Sequence, residues 1–250
     1  MLNHIAIEIN NEIVKDIYLD VQDTIQAWLY SDICKESYYL TTVGQEVQLV
    51  LSTEIHFQNI FRYNIYYTLK RPFYASEFEI IEVDMLNHIA NIYCGEIPQL
   101  NAKAFKVPYS DGDTSLVILL PNSLRGIKDL ENNLKSFSLS SIDSYLSRDW
   151  VVLLFPKLEI VVERSLTDEL KNLGMSSMFQ RLCDTSDVIK VADVIFRASF
   201  YINETNSGLD PEDPDMNELS KFLKFEVNHP FIFFIQSSMN EIYLIGKFMK

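Results

Sequence analysis

Between Phe196 and Ile235 the chain reads FRASFYINETNSGLDPEDPDMNELSKFLKFEVNHPFIFFI, and this stretch limits the available folds more than any other. Its start alternates Phe196, Ala198, Phe200 and Ile202 with Arg197, Ser199, Tyr201 and Asn203, the period of a strand with one buried face. Its end, PFIFFI, is apolar enough for a strand inside a core. Between the two lie Pro211, Pro214 and the acids Asp210, Glu212, Asp213, Asp215 and Glu218, with no basic residue from Leu209 until Lys221. Such a segment has almost nothing to bury, so the fold must carry a long solvated loop between two core strands.

The remaining patterns are mostly strands. VQLVLSTEIHF, Val47 to Phe57, is nearly continuous in β-formers, which predicts a central strand covered on both faces. Phe105 to Tyr109 and Ser115 to Leu120 form a predicted hairpin across SDGD, whose Asp and Gly suit a tight turn. Val151 to Leu154 is a further strand, stopped at Pro156. Helices are predicted where Ile25, Trp28, Leu29 and Ile33 recur at helical spacing, and over Leu124 to Leu134. SLTDELKNLGM adds a third, with Ser165 or Thr167 to accept from the first amides and Gly174 to close it. Helices and strands are segregated rather than alternating, so the expected class is α+β, with mixed β-sheets and a few helices. The hexapeptide MLNHIA occurs at 1–6 and again at 85–90, but the sequences diverge at once and do not form a repeat architecture.

Charge and composition remove several classes of function. A formal charge of −14 repels a phosphate backbone, and Lys and Arg do not cluster among aromatics, so nucleic acid is not an expected partner. Every apolar run falls short of the roughly 18 residues that span a bilayer, so no membrane insertion is expected. The first residues, MLNHIAIEINNE, show no signal peptide; the cytoplasm is the expected location, with secretion by a non-standard route left open. Cys34, Cys94 and Cys183 form no C-x-x-C pattern, and His4, His56, His88 and His229 are scattered, so neither a metal site nor a cofactor is expected. The chain has no G-x-S-x-G and no phosphate-binding glycine loop, and no enzymatic activity is expected.

From about Ile25 onward the motifs collect into one resemblance. IQAWL is similar to an I-N-x-W-V helix, LVLSTEIHF to an L-V-L-V-N-A-I-Y-F strand, and VPYSDGDTSLVILLP to a P-Y-x-x-x-x-x-S-M-x-x-L-L-P hairpin. GIKDLENNL, FPKLEI, LTDELKNLGMSSMF, CDTSDV, VADVIFRASFYINE, NHPFIFFI and IYLIGKFM follow in the order of the same family. The chain thus resembles the serpins, the serine protease inhibitor superfamily. Only 24 residues precede Ile25, which implies a single shortened serpin domain over 1–250, lacking most of the N-terminal helical region. That reduction, with the Ile, Asn and Tyr rich composition, also resembles the reduced serpins of some poxviruses, which act as virulence factors.

The resemblance makes about 203–229 the long exposed reactive loop, the bait for a protease, with a scissile bond near Leu219 or Ser220. A trapping serpin inserts its cut loop into the main sheet through a hinge of small residues. The corresponding hinge here is Glu204, Thr205, Asn206, Ser207 and Gly208, with Asn206 at the position of the family's glycine. Thr53 and Phe196 occupy positions where the family has the Asn and His of a latch beneath the sheet, and Phe61 replaces a Trp. Pro211 and Pro214 would each remove a ladder hydrogen bond from an inserted strand. Either register would turn two carboxylates inward, Asp213 and Asp215 or Asp210 and Glu212, at several kcal/mol for each unpaired ion. The implied function is a non-inhibitory interaction protein acting on a protein partner, with self-association through faces the shortened chain leaves bare. The alternative is an inhibitor of a host serine or cysteine protease. The Asn203-Glu204-Thr205 glycosylation pattern reads as a chance match.

Overall fold

The computed structural model describes residues 49–180, 191–208 and 215–249. The predicted helix around Trp28 and the first MLNHIA lie outside these residues.

Strand-forming runs dominate, as their β-branched and aromatic content requires. In chain order they are β1 (Leu49–Phe57), β2 (Ile65–Tyr74), β3 (Ile80–Ile97), β4 (Ala102–Pro108) and β5 (Thr114–Pro121), then β6 (Ser147–Pro156) and β7 (Leu158–Ser165). After them come β8 (Val191–Ile202), β9 (Leu223–Glu226), β10 (Phe231–Ser237) and β11 (Ile242–Phe248). Among the described residues two short α-helices interrupt them, α1 (Ile127–Leu134) and α2 (Thr167–Leu170). The predicted hairpin is β4–β5, antiparallel from Ala102 opposite Pro121 to Pro108 opposite Ser115. Its turn is built as the sequence requires: Asp111 Oδ1 accepts from the Asp113 and Thr114 amides at 3.0 and 2.9 Å, and Gly112 takes φ +74°. The helix predicted from Leu124 begins three residues later, at Ile127, after a turn in which Gly126 N donates to Ser123 O.

The strands form a three-stranded sheet, β1-β8-β7, and an eight-stranded sheet in the order β11-β10-β5-β4-β3-β6-β9, with β2 also on β3. The chain divides into two compact units, one from Met1–Ile55 with Val161–Ser199, the other from His56–Ile160 with Phe200–Lys250. In the first, Arg197 reaches Glu163 through Nε at 2.9 Å and Nη2 at 2.5 Å, tying β8 to β7. Ser165 Oγ accepts from Thr167 N at 3.2 Å and donates to Asp193, but the residue at the cap position is Leu166, so the predicted side-chain cap does not form and both hydroxyls, Ser165 and Thr167, are tied to Asp193 of β8 instead. Gly174 closes the following turn at φ +92°. The strand predicted to be covered on both faces behaves differently. Among the described strands β1 stands at the end of its sheet, and Leu51 is 38% exposed. A continuous apolar run reports what both faces tolerate, not which neighbours cover them.

In the second unit, the 18 residues of β3 are the organising element. Its first part pairs with β2, its middle and end with β6, and its last five residues with β4. The second MLNHIA lies in that middle and is buried throughout, from Met85 to Ala90. One face of the sheet carries Phe105, Phe155, Phe231 and Phe233 into the larger core, where Phe61, from the segment between β1 and β2, joins them. The other face, with Val117, Leu119, Ile232 and Phe234, is covered by Ile127 and Leu130 of α1.

Candidate functional site: the loop between β8 and β10

The chain leaves β8 at Ile202 and immediately folds back. Asn203 Oδ1 accepts from Thr205 N at 2.8 Å and from Thr205 Oγ1 at 2.6 Å, while Asn206 Oδ1 accepts from Asn203 N at 2.8 Å. This reciprocal pair of side-chain caps winds Glu204–Asn206 into a single 3₁₀ turn. Asn206 is only 3% exposed, and every polar group it has is used. Its Nδ2 donates to Asn59 O at 2.6 Å, its carbonyl accepts from Phe61 N at 2.8 Å, and its amide donates to Asn203 O at 3.1 Å.

The next two residues extend the attachment. Ser207 Oγ accepts from Ile65 N at 2.9 Å, and Gly208 N donates to Tyr63 O at 3.2 Å. Gly208 fits because it lacks a side chain: a Cβ there would lie 2.0 Å from Phe61 O and 2.3 Å from Arg62 O. Glu204 remains exposed but is paired with Lys157 and accepts from Thr68 Oγ1 at 2.7 Å. The Lys157 hydrogen bond, followed by backbone and Thr68 hydrogen bonds, pulls its carboxyl down to about 2.

The surface that receives these groups, Asn59 to Ile65, is held by ring stacking and by hydrogen bonds to the β4–β5 hairpin. Phe61 is fully buried and stacks on Tyr109, centroids 4.8 Å apart and planes 6° apart. Arg62 N donates to Pro108 O at 3.0 Å, Ser110 N to Ile60 O at 2.8 Å, and Asn59 Nδ2 to Asp111 Oδ2 at 2.7 Å. Behind this segment sits His88, 0% exposed, with ring centroids 5.3 Å from Phe61, 6.3 Å from Phe155 and 6.5 Å from Tyr63. Among the described residues neither of its nitrogens has a hydrogen-bond partner. Burial pushes its pKa down to about 4, with the Asn64 backbone pulling the other way without reaching hydrogen-bond geometry.

The far end of the loop is also fastened. Asp215 Oδ1 accepts from Asn217 N at 2.9 Å and starts a 3₁₀ helix, Met216–Lys221. Leu219 is half-buried and Ser220 exposed within it, so both scissile-bond candidates are helical, not extended. Phe222 is buried and stacks on Trp150 at 5.4 Å and 14°, and Trp150 meets the Tyr63 ring edge-on at 6.2 Å. β9 then runs parallel to β6, Val151 opposite Leu223. Both ends of the loop therefore converge on Tyr63, one through its carbonyl and the other through its ring.

The profile of the family Serpin (serine protease inhibitor) matches residues 34–250. The chain belongs to the serpin family. It is 27% identical over 212 residues to Iripin-4 of Ixodes ricinus, an alignment covering 80% of this chain and 54% of that protein. With Antichymotrypsin-2 of Bombyx mori it shares 29% over 184 residues, 68% of this chain and 48% of that one. The serpin thus spans about half the length of the relatives it matches. Uncleaved ovalbumin has the same fold, with a TM-score of 0.79 at 20% identity over 91% of this chain and 65% of that structure.

The five residues expected to form a hinge, Glu204 to Gly208, are fastened rather than free. The loop is exposed at Asp215, Asn217, Glu218 and Ser220, while its stems are buried at Asn206, Gly208 and Phe222. Residues 209–214, with Pro211 and Pro214, lie outside the described residues. Thr53 and Phe196, the residues expected at the family's latch positions, are both half-buried, and the Phe196 side chain brings no polar atom. Cys94 is buried and free, and among the described residues no group of His, Cys, Asp and Glu is arranged to hold a metal. No described helix is long and apolar enough to cross a membrane. Sequence reasoning missed the Asn206 attachment and the Phe222–Trp150 stack. The only sequence trace of the first is the Asn-x-x-Asn spacing of a reciprocal cap.

Proposed function

We propose that this serpin is a cytoplasmic binding protein, not a catalyst, that presents its 203–229 loop to a protein partner without trapping a protease by loop insertion. The observation that carries this reading is Asn206. Insertion would strip its side chain from Asn59 and Asn203, break the Ser207–Ile65 and Gly208–Tyr63 bonds, and pull Glu204 away from Lys157. Each hydrogen bond is worth about 1 kcal/mol, and a buried amide left unpaired costs more. Trapping must outrun release of the cleaved protease, so a fastened hinge works against it. The test is incubation with chymotrypsin-like, trypsin-like and cathepsin-like proteases. The expected result is loop cleavage without an SDS-resistant adduct; an adduct at the combined mass overturns the proposal.

A second reading, inhibition of a protease, is favoured by one observation. Leu219 lies at a scissile-bond candidate position and suits an apolar chymotrypsin-like pocket, and one relative bears the name Antichymotrypsin-2. In this reading the helical turn Met216–Lys221 unwinds on docking. Saturable inhibition of chymotrypsin without loop cleavage would support it over the first.

A further inference from the structure

We propose that His88 makes the hinge attachment acid-labile, so that protonation inside its aromatic cage releases Asn206 and Gly208 from the Asn59–Tyr63 segment. The cage and the attachment share residues. Phe61, whose ring lies 5.3 Å from the imidazole, donates its amide to Asn206 O; Tyr63, whose ring lies 6.5 Å away, gives its carbonyl to Gly208 N. Among the described residues no carboxylate pairs with an imidazolium at this place and no acceptor meets hydrogen-bond geometry with either nitrogen; the Asn64 backbone, which favours the charged form, belongs to the Asn59–Ile65 segment itself. The charged form can be accommodated only if the cage opens, and the wall that can move is the Asn59–Ile65 segment. The other walls are strand interiors: β3, which carries His88 itself, and β6, which carries Leu153 and Phe155.

The surrounding titratable and charged groups leave this assignment to His88. Arg62 and Tyr63 belong to the mobile wall, with the guanidinium 5.6 Å from the Tyr63 ring centroid. Arg148 from β6 donates to the Tyr63 hydroxyl at 3.2 Å. Tyr109, stacked on Phe61, has its phenol pushed upward by burial, away from the acid range. Glu204 and Lys157 pair, and that hydrogen bond holds the Glu204 carboxyl down to about 2, below the window at issue. His229 lies elsewhere on the sheet, its Nε2 bonded to Pro121 O at 2.8 Å.

Linkage fixes the sign. A closed state that keeps the imidazole neutral and an open state that lets it ionise normally differ in proton uptake from about pH 6.5 down to about pH 4. The open population therefore rises as pH falls, by about 20-fold between about pH 7 and pH 5. The test is hydrogen exchange of the intact chain at those two pH values, expressed as protection relative to intrinsic exchange. The amides of Phe61, Ile65, Asn206 and Gly208 should lose about 20-fold protection, while those of the β4–β5 ladder keep theirs. In His88→Phe, and in His88→Leu should the first fail to fold, the loss should vanish; His229→Gln should retain it. Unchanged protection in the wild-type chain overturns the proposal without any variant, as does an undiminished loss in a folded His88 variant.

Discussion

Asn206 and Asn59 are 147 positions apart, yet the amide of one closes on the carbonyl of the other at 2.6 Å. The partner's own side chain is held in turn by Asp111 at 2.7 Å. Replacing Asn206 with Ala strands the half-buried Asn59 carbonyl and Asn203 amide. We expect a loss of about 2 kcal/mol in chemical denaturation, with faster exchange at Phe61 and Ile65. Unchanged stability would show that the Asn206 side chain adds nothing to the attachment.

Gly208 makes a sharper test because its requirement is steric. Gly208→Ala forces a methyl group onto the Phe61 and Arg62 carbonyls, so the attachment must move rather than simply weaken. The expected cost is about 1–3 kcal/mol. Protease-accessible backbone should appear near residue 208, read by mass spectrometry of limited digests.

Trp150→Ala removes the platform under Phe222 and the edge contact to Tyr63. Truncating a packed Trp costs about 3–5 kcal/mol in well-buried sites, and this half-buried one should give about 2 kcal/mol. Cleavage after Leu219 by a chymotrypsin-like protease should accelerate, since the helical turn Met216–Lys221 loses its anchor.

Glu204 predicts an acid limb of its own. Its carboxyl is held far below the usual carboxylate value, so it favours the fold above about pH 4.5, and that contribution fades as pH falls toward about 2. In Glu204→Gln the melting temperature should vary less with pH in this range, and high salt should narrow the difference because the ion pair is partly exposed.

A nick between Leu209 and Lys221 should leave the melting temperature nearly unchanged. An inserting loop would add a strand and raise it steeply; a fastened hinge holds the new end in place. A rise of more than about 10 °C on nicking would show that the loop inserts.

The hairpin across Asp111 and Gly112 was legible in the sequence because all the information it needs is local. β2 was not, because IYYTLKRPFY carries Lys70, Arg71 and Pro72, which read as loop unless a long neighbour such as β3 is known to flank it. β3 itself mixes polar and apolar residues, since one strand serves β2, β6 and β4 in turn. For the site, the order of motifs pointed to the segment between β8 and β10 and to Glu204–Gly208 as its expected hinge. The fastening stayed hidden because Asn59, Tyr63 and Trp150 are distant in sequence, and nothing in the pattern around them announces the loop they receive.

The distance between Asn59 and Asn206 also sets an order of events during synthesis. The Asn59–Ile65 segment leaves the ribosome long before the residues that satisfy it, and β9 reaches its place beside β6 later still. Until then Phe61 N and the Asn59 and Tyr63 carbonyls are open valences on a sticky aromatic surface. A chain stalled before residue 203 would therefore lack the groups that complete the hydrogen bonding of this segment.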